Sequence, residues 1–83
     1  MESNAYKVID SSVSVLVFKT NVNNKPGRRR LARTLEDAPG ISRWSVDLSD
    51  CDCVLRIESD SLSEINIIGL VKQAGFVCEE LEG

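Results

Sequence analysis

Eighty-three residues, 42% hydrophobic and 28% charged, describe one small globular domain, neither disordered nor long enough for a second core. The net charge is −3, and one tryptophan, one tyrosine and two phenylalanines are the whole aromatic complement. A general nucleic-acid binder is therefore excluded, because nothing global would neutralise phosphates and little could stack on bases. The absence of histidine removes Ser-His-Asp and Cys-His catalysis and every histidine-ligated metal site.

No apolar run approaches the roughly 20 residues of a membrane span, so no membrane association is expected. The opening Met-Glu-Ser-Asn-Ala-Tyr-Lys lacks the apolar stretch of a secretory signal. A cytoplasmic chain is expected, with its three cysteines as reduced thiols; an odd count fits that better than a disulfide framework.

Residues 1–11 are polar and mixed, a flexible leader or the start of the first strand, and residues 12–82 form a single domain. Residues 12–19 are β-branched and aromatic, and they predict a strand with Val13, Val15 and Val17 on one face and Leu16 and Phe18 on the other. Asn23 or Asn24 is a good N-cap, Pro26 suits a first helical turn, and Leu31, Leu35 and Ala38 make the apolar stripe of a helix that Pro39-Gly40 ends. Residues 41–48 alternate through Trp44, Val46 and Leu48. After a turn at Ser49-Asp50, residues 51–58 alternate through Cys53, Leu55 and Ile57, which predicts a hairpin. Ser61 and Glu64 have capping-box spacing, with Ser63 an alternative cap. Ile65, Ile68, Val71 and Ala74 are expected as the buried face of a second helix, with Gly75 as its left-handed stop. Residues 76–81 supply a last strand. The order βαββαβ, with right-handed crossovers around a hairpin, gives an α+β, ferredoxin-like fold: a four-stranded antiparallel sheet with two helices on one face.

The chain resembles the heavy-metal-associated (HMA) domain family of copper-chaperone-like proteins. The resemblance is carried by Phe18-Lys-Thr-Asn-Val22, Pro39-Gly40-Ile41, Trp44-Ser-Val-Asp-Leu48 and Ile68-Gly-Leu-Val-Lys-Gln-Ala-Gly-Phe76, over about residues 13–81. That family carries a Met-x-Cys-x-x-Cys loop between the first strand and first helix. Counting back from Pro39 puts Val22 at the methionine position and Asn24 and Gly27 at the two cysteine positions, and no cysteine occurs between Lys19 and Thr34. An amide oxygen and an absent side chain cannot replace two thiolates for a soft ion, so the resemblance implies a degenerate metal site with no metal cofactor.

Four cations, Lys25, Arg28, Arg29 and Arg30, open the first helix. They are expected to dock an acidic protein face or to cradle a small anion, against the plain alternative of a solvated helix surface. Cys51 and Cys53 share parity, so on a strand they would lie on one side, and Cys78 could join them. The alternative function is thus atypical heavy-metal binding or chaperoning, with Cu(I) or Zn²⁺ as the ions to try, while Cys53 and Cys78 also suit small core positions. Asp47, Asp50 and Asp52 surround the turn without the glycine punctuation of a Ca²⁺ loop and read as a solvated turn. Glu79, Glu80 and Glu82 read as a solubilising tail. Catalysis has least to work with: the Asn and Arg residues near one loop do not match an acylphosphatase, and no nucleophile–base pair is evident. The expected function is a protein-interaction or regulatory module, acting as a monomer or a weak dimer through uncovered strand edges.

Overall fold

The computed structural model describes residues 13–81; residues 1–11, read above as leader or strand start, lie outside that range, as do Ser12 and Glu82. In chain order the elements are β1 (Ser14–Thr20), α1 (Lys25–Asp37), β2 (Ile41–Val46), β3 (Leu55–Ser59), α2 (Glu64–Gln73) and β4 (Cys78–Glu80). The strands form one sheet in the order β2-β3-β1-β4, antiparallel throughout. This is the ferredoxin-like βαββαβ arrangement that the element order predicts. Among the described residues no helix is long and apolar enough to cross a membrane.

The core lies between the sheet and the helices. Phe18 of β1, Leu31 and Leu35 of α1, Val46 of β2, Leu55 and Ile57 of β3, and Ile67 and Val71 of α2 are buried together. Strand β1 is central, flanked by β3 and β4. Its side chains alternate as the sequence implies, Phe18 and Thr20 inward and Val15 on the open face. A register shift between Ile41 and Arg43 in β2 brings Ile41 into phase with Trp44 and Val46, so that all three pack on the core. Gly40 precedes that shift at φ +94, and a Cβ there would stand 2.6 Å from Ser61 Oγ, so only glycine fits.

Three local expectations change. First, residues 51–54 are not strand, and the hairpin is a longer loop. Asp47 Oδ1 accepts from the Ser49 amide and hydroxyl, and Asp50 Oδ1 accepts from the Asp52 amide at 2.8 Å. These Asx turns give the backbone partners that a ladder would otherwise supply. The loop closes with the Asp47 amide on the Val54 carbonyl and with Cys53 at φ +46. Second, Ser63 is the N-cap of α2, its amide and hydroxyl both donating to Asn66 Oδ1. Ser61 instead donates its amide to Ser59 Oγ, so the Ser61–Glu64 spacing forms no capping box.

Third, the buried face of α2 is Ile67, Val71 and Ala74, with Ile68 alongside, whereas Ile65 is 77% exposed. The expected stripe advanced three residues at each step. At about 100° per residue it rotates some 60° per step and leaves any one face, while Ile67, Val71 and Ala74 stay within about 60° of one another.

Replacing Ile67 by Ala is expected to cost about 2–5 kcal/mol, because the vacated volume lies in a closed core. Ile65→Ala should stay within about 0.5 kcal/mol. Urea unfolding followed by Trp44 fluorescence compares the two; equal losses would return Ile65 to the core.

Candidate functional site

Three loops meet at the C-terminal end of β1. Thr20, the last residue of that strand, is buried. Its hydroxyl donates to the Cys53 carbonyl at 2.7 Å and accepts from the Val22 amide at 3.1 Å, while its own amide donates to the Asp52 carbonyl. Across the sheet it pairs with Cys78. Next to it, Asn21 clamps the α2–β4 connection: its side-chain oxygen accepts from the Val77 amide at 3.0 Å, and its amide donates to the Val77 carbonyl. The β1–α1, β2–β3 and α2–β4 loops, distant in sequence, thus share one end of the molecule.

The β1–α1 loop itself is closed. Val22 is fully buried. Asn24 is the N-cap of α1, its Oδ1 accepting from the Gly27 amide at 2.7 Å and its Nδ2 donating to Asn23 Oδ1. Gly27 is buried, and a Cβ there would lie 3.2 Å from the Phe76 ring and 3.0 Å from Asn24 Oδ1. Phe76, at the far end of the chain, packs on the first turn of α1 for want of a side chain at position 27.

Lys25, Arg28, Arg29 and Arg30 are all exposed, as expected, and Arg33 extends the group by one turn. Spacing alone could have found Arg33, four residues beyond Arg29. The cations do not all focus on one point, though Arg29, Arg30 and Arg33 line a small pocket with Pro26. Arg28 and Arg29 line a groove against Trp44 and Ser45 of β2. Arg30 lies on the other flank, its guanidinium 5.9 Å from the centre of the Phe76 ring. The first turn of α1 carries no acid and its last turn no base; the acids Glu36 and Asp37 stand at the C-terminus. Charge at both ends therefore opposes the helix dipole, at about 0.3–1 kcal/mol for each nearby group.

The cysteines separate. Cys51 is exposed, Cys53 buried and Cys78 half-buried, all with free thiols. Because residues 51–53 turn, the two thiols do not share a strand face as their parity implied. Among the described residues, the one group of three potential ligands within 4.8 Å is Asp50, Cys51 and Asp52, so Cys53 and Cys78 complete no such set. Burial pushes the Cys78 thiol up to about 11. Hydrogen bonds from the Ser49 hydroxyl and amide hold the Asp47 carboxyl below its ordinary value, which keeps that turn preorganised. Lys19 and Asp52 approach at 3.9 Å, an exposed pair of little energetic weight.

No protein-family model matches the sequence, and no curated protein is similar enough to count as a relative. Solved structures do match. The copper(I)-loaded first domain of the human copper chaperone for superoxide dismutase superposes with a TM-score of 0.71 at 15% identity, covering 82% of this chain and 92% of that one. The apo HMA domain of a copper chaperone for superoxide dismutase gives 0.72 at 14% identity, over 84% of this chain and 68% of that one. The N-terminal domain of PacS from Synechocystis gives 0.71 at 11% identity, over 83% and 98%. The chain has the HMA fold. At such low identity the likeness is one of architecture, and it matches the resemblance read from the sequence. In this HMA-like domain the β1–α1 loop residues Asn21, Val22 and Asn24, and Gly27 in the first turn of α1, are all engaged in packing or hydrogen bonds.

Three outcomes follow. Thr20→Val leaves the Cys53 carbonyl and the Val22 amide without the hydroxyl, and a loss of about 1–3 kcal/mol is expected in urea unfolding, largely restored by Thr20→Ser. Under native conditions a thiol reagent is expected to modify Cys51 first, with Cys53 and Cys78 reacting only as the protein opens, as peptide mass mapping would resolve. Because Cys78 holds its proton more tightly folded than unfolded, its contribution to stability is complete below about pH 9 and is lost as pH rises toward about 11. Cys78→Ser should flatten that alkaline slope.

Proposed function

We propose that this HMA-like domain is a protein-interaction or regulatory module, neither a metal carrier nor a catalyst. It docks an acidic protein face through Lys25, Arg28, Arg29 and Arg30, with Arg33 beside them. One observation carries the reading. In a chain of net charge −3, four cations are concentrated on the first two turns of α1, and Lys25, in the first turn, stands where the helix dipole makes a cation unfavourable. Exposed charge kept against local stability is better accounted for by a partner than by the fold. Their spread over two flanks suits a broad acidic surface more than a single small anion.

The chemistry of the β1–α1 loop supports the negative half of the reading. The structural neighbours include a copper(I)-loaded domain, so a soft ion is the cargo to consider here. The residues present do not fit one: no thiol lies between Lys19 and Thr34, Val22 is buried, and the Asn21 and Asn24 oxygens already accept backbone amides. The alternative, Cu(I) or Zn²⁺ held by Cys51 and Cys53 with help from Cys78, loses support because the turn leaves one thiol exposed and another buried. A cytoplasmic setting belongs to the same reading and rests on the three free cysteines.

The protein is expected to be retained on immobilised polyglutamate at low salt despite its net negative charge, and Arg28→Ser, Arg29→Ser, Arg30→Ser together should abolish retention. Equal retention of the triple variant would remove the basic face from the function. Lys25→Glu is expected to weaken retention while raising stability by about 0.3–1 kcal/mol, since it places an acid in the first turn of α1. Reduced protein should surrender Cu(I) and Zn²⁺ to a competing chelator; stoichiometric retention in native mass spectra, lost in Cys51→Ser, would reinstate the metal alternative.

A further inference from the structure

Strand β2 is an edge of the sheet, with β3 on one side and no strand on the other among the described residues. An edge strand presents a row of backbone amides and carbonyls that another extended chain can pair with. Alongside this edge, between β2 and α1, runs an open groove of about 370 Å³. Trp44 and Ser45 line it from the strand, and Arg28, Arg29, Ala32 and Glu36 from the helix. Trp44 is half-buried, so part of its indole faces the groove while the rest packs on the core.

The groove carries opposite charge at its two ends. Arg28 and Arg29 stand at the end nearer the start of α1, and Glu36 lies two turns further on. Arg43, also exposed, adds a positive charge on β2 itself. A second copy pairing β2 with β2 about a two-fold axis would set Glu36 of each copy toward Arg28 and Arg29 of the other, one acid for two bases, and would bring the two Arg43 side chains together near the axis, so it leaves positive charge unmatched. An acidic chain meets the opposite situation.

We infer that β2 accepts an extended acidic segment of a partner protein as an additional strand. Backbone pairing along the β2 edge supplies affinity that does not depend on sequence. Carboxylates beside Arg28 and Arg29 fix the register, an apolar side chain covers the Trp44 indole, and Glu36 keeps acids from the other end of the groove. The inference rests on the proposed acidic-partner reading and adds to it the conformation of the partner and the place where it sits.

The test uses two blocked heptapeptides, acetyl-Glu-Thr-Glu-Thr-Val-Thr-Val-amide, which puts its acids and its valines on one face, and a twin with alternate backbone nitrogens methylated. The twin keeps every side chain and charge but cannot complete a ladder. Binding is followed by Trp44 fluorescence, which is unambiguous because the chain has one tryptophan, and by amide exchange along β2. The expected result is a Trp44 spectral shift with slowed exchange in β2, at least tenfold weaker binding of the methylated twin, and at least tenfold loss in Arg28→Ser, Arg29→Ser. Equal binding of the two peptides, with β2 exchange unchanged but binding still abolished by the arginine changes, overturns strand addition and leaves the acidic-partner reading intact. Binding insensitive to the arginine changes overturns both. Absence of binding by either peptide at millimolar concentration overturns strand addition, and polyglutamate retention then decides the broader reading separately. Self-association that slows β2 exchange in the protein alone, seen by sedimentation, would assign the edge to a second copy and overturn the inference.

Discussion

The end of this molecule where three loops meet depends on one buried hydroxyl. Thr20 closes β1, and its side chain and amide together hold the Asp52–Cys53 stretch of one loop and the Val22 amide of another. A hydroxyl serves here because its oxygen both donates and accepts. Burial makes the arrangement consequential: in a low-dielectric interior an unmet carbonyl or amide costs far more than the same group in water. Asn21 does the same for the connection that leads into β4. With these contacts in place the β1–α1 loop has one conformation, and Asn24 can start α1 where it does.

The start of α1 then sets the surface. Asn24 caps the helix, Gly27 lets Phe76 approach, and the next residues, Arg28 to Arg30, point outward because Leu31 and Leu35 claim the inward face. The helix is thus well capped and poorly charged. A sequence under pressure for stability alone would put acids in the first turn and bases in the last; this one does the reverse. The cap offsets part of that penalty, and the remainder is borne by a domain with a closed apolar core. Arg30 recovers some of it by resting on Phe76. Where local rules are broken while the core obeys them, function is the usual reason.

Much of this was legible in the chain. Each strand and helix was readable in type, because long runs such as residues 14–20 and 25–37 carry both periodicity and punctuation. The Asn24 cap, the Gly75 stop at φ +96 and the outward cations follow from local chemistry. The errors also have local causes. The alternation from Cys53 to Ile57 looked like continuous strand, but two aspartates offered the backbone closer partners and bent it. The three-residue stripe in α2 looked amphipathic but rotates around the helix, which exposes Ile65 and buries Ile67.

The sequence by itself determined the element order, the fold class, the position of the positive charges and the lack of any thiol between Lys19 and Thr34. These are properties of composition and short-range spacing, and they require no knowledge of what lies across the core. Tertiary structure alone decided that Thr20 joins two loops, that Arg28 and Arg30 serve opposite flanks, that Trp44 borders a groove with α1, and that the cysteines part company. Those relations link residues up to 56 positions apart in the chain, as Asn21 and Val77 are. They arise because sheet order and helix packing fix which distant side chains become neighbours, and no local pattern encodes that choice.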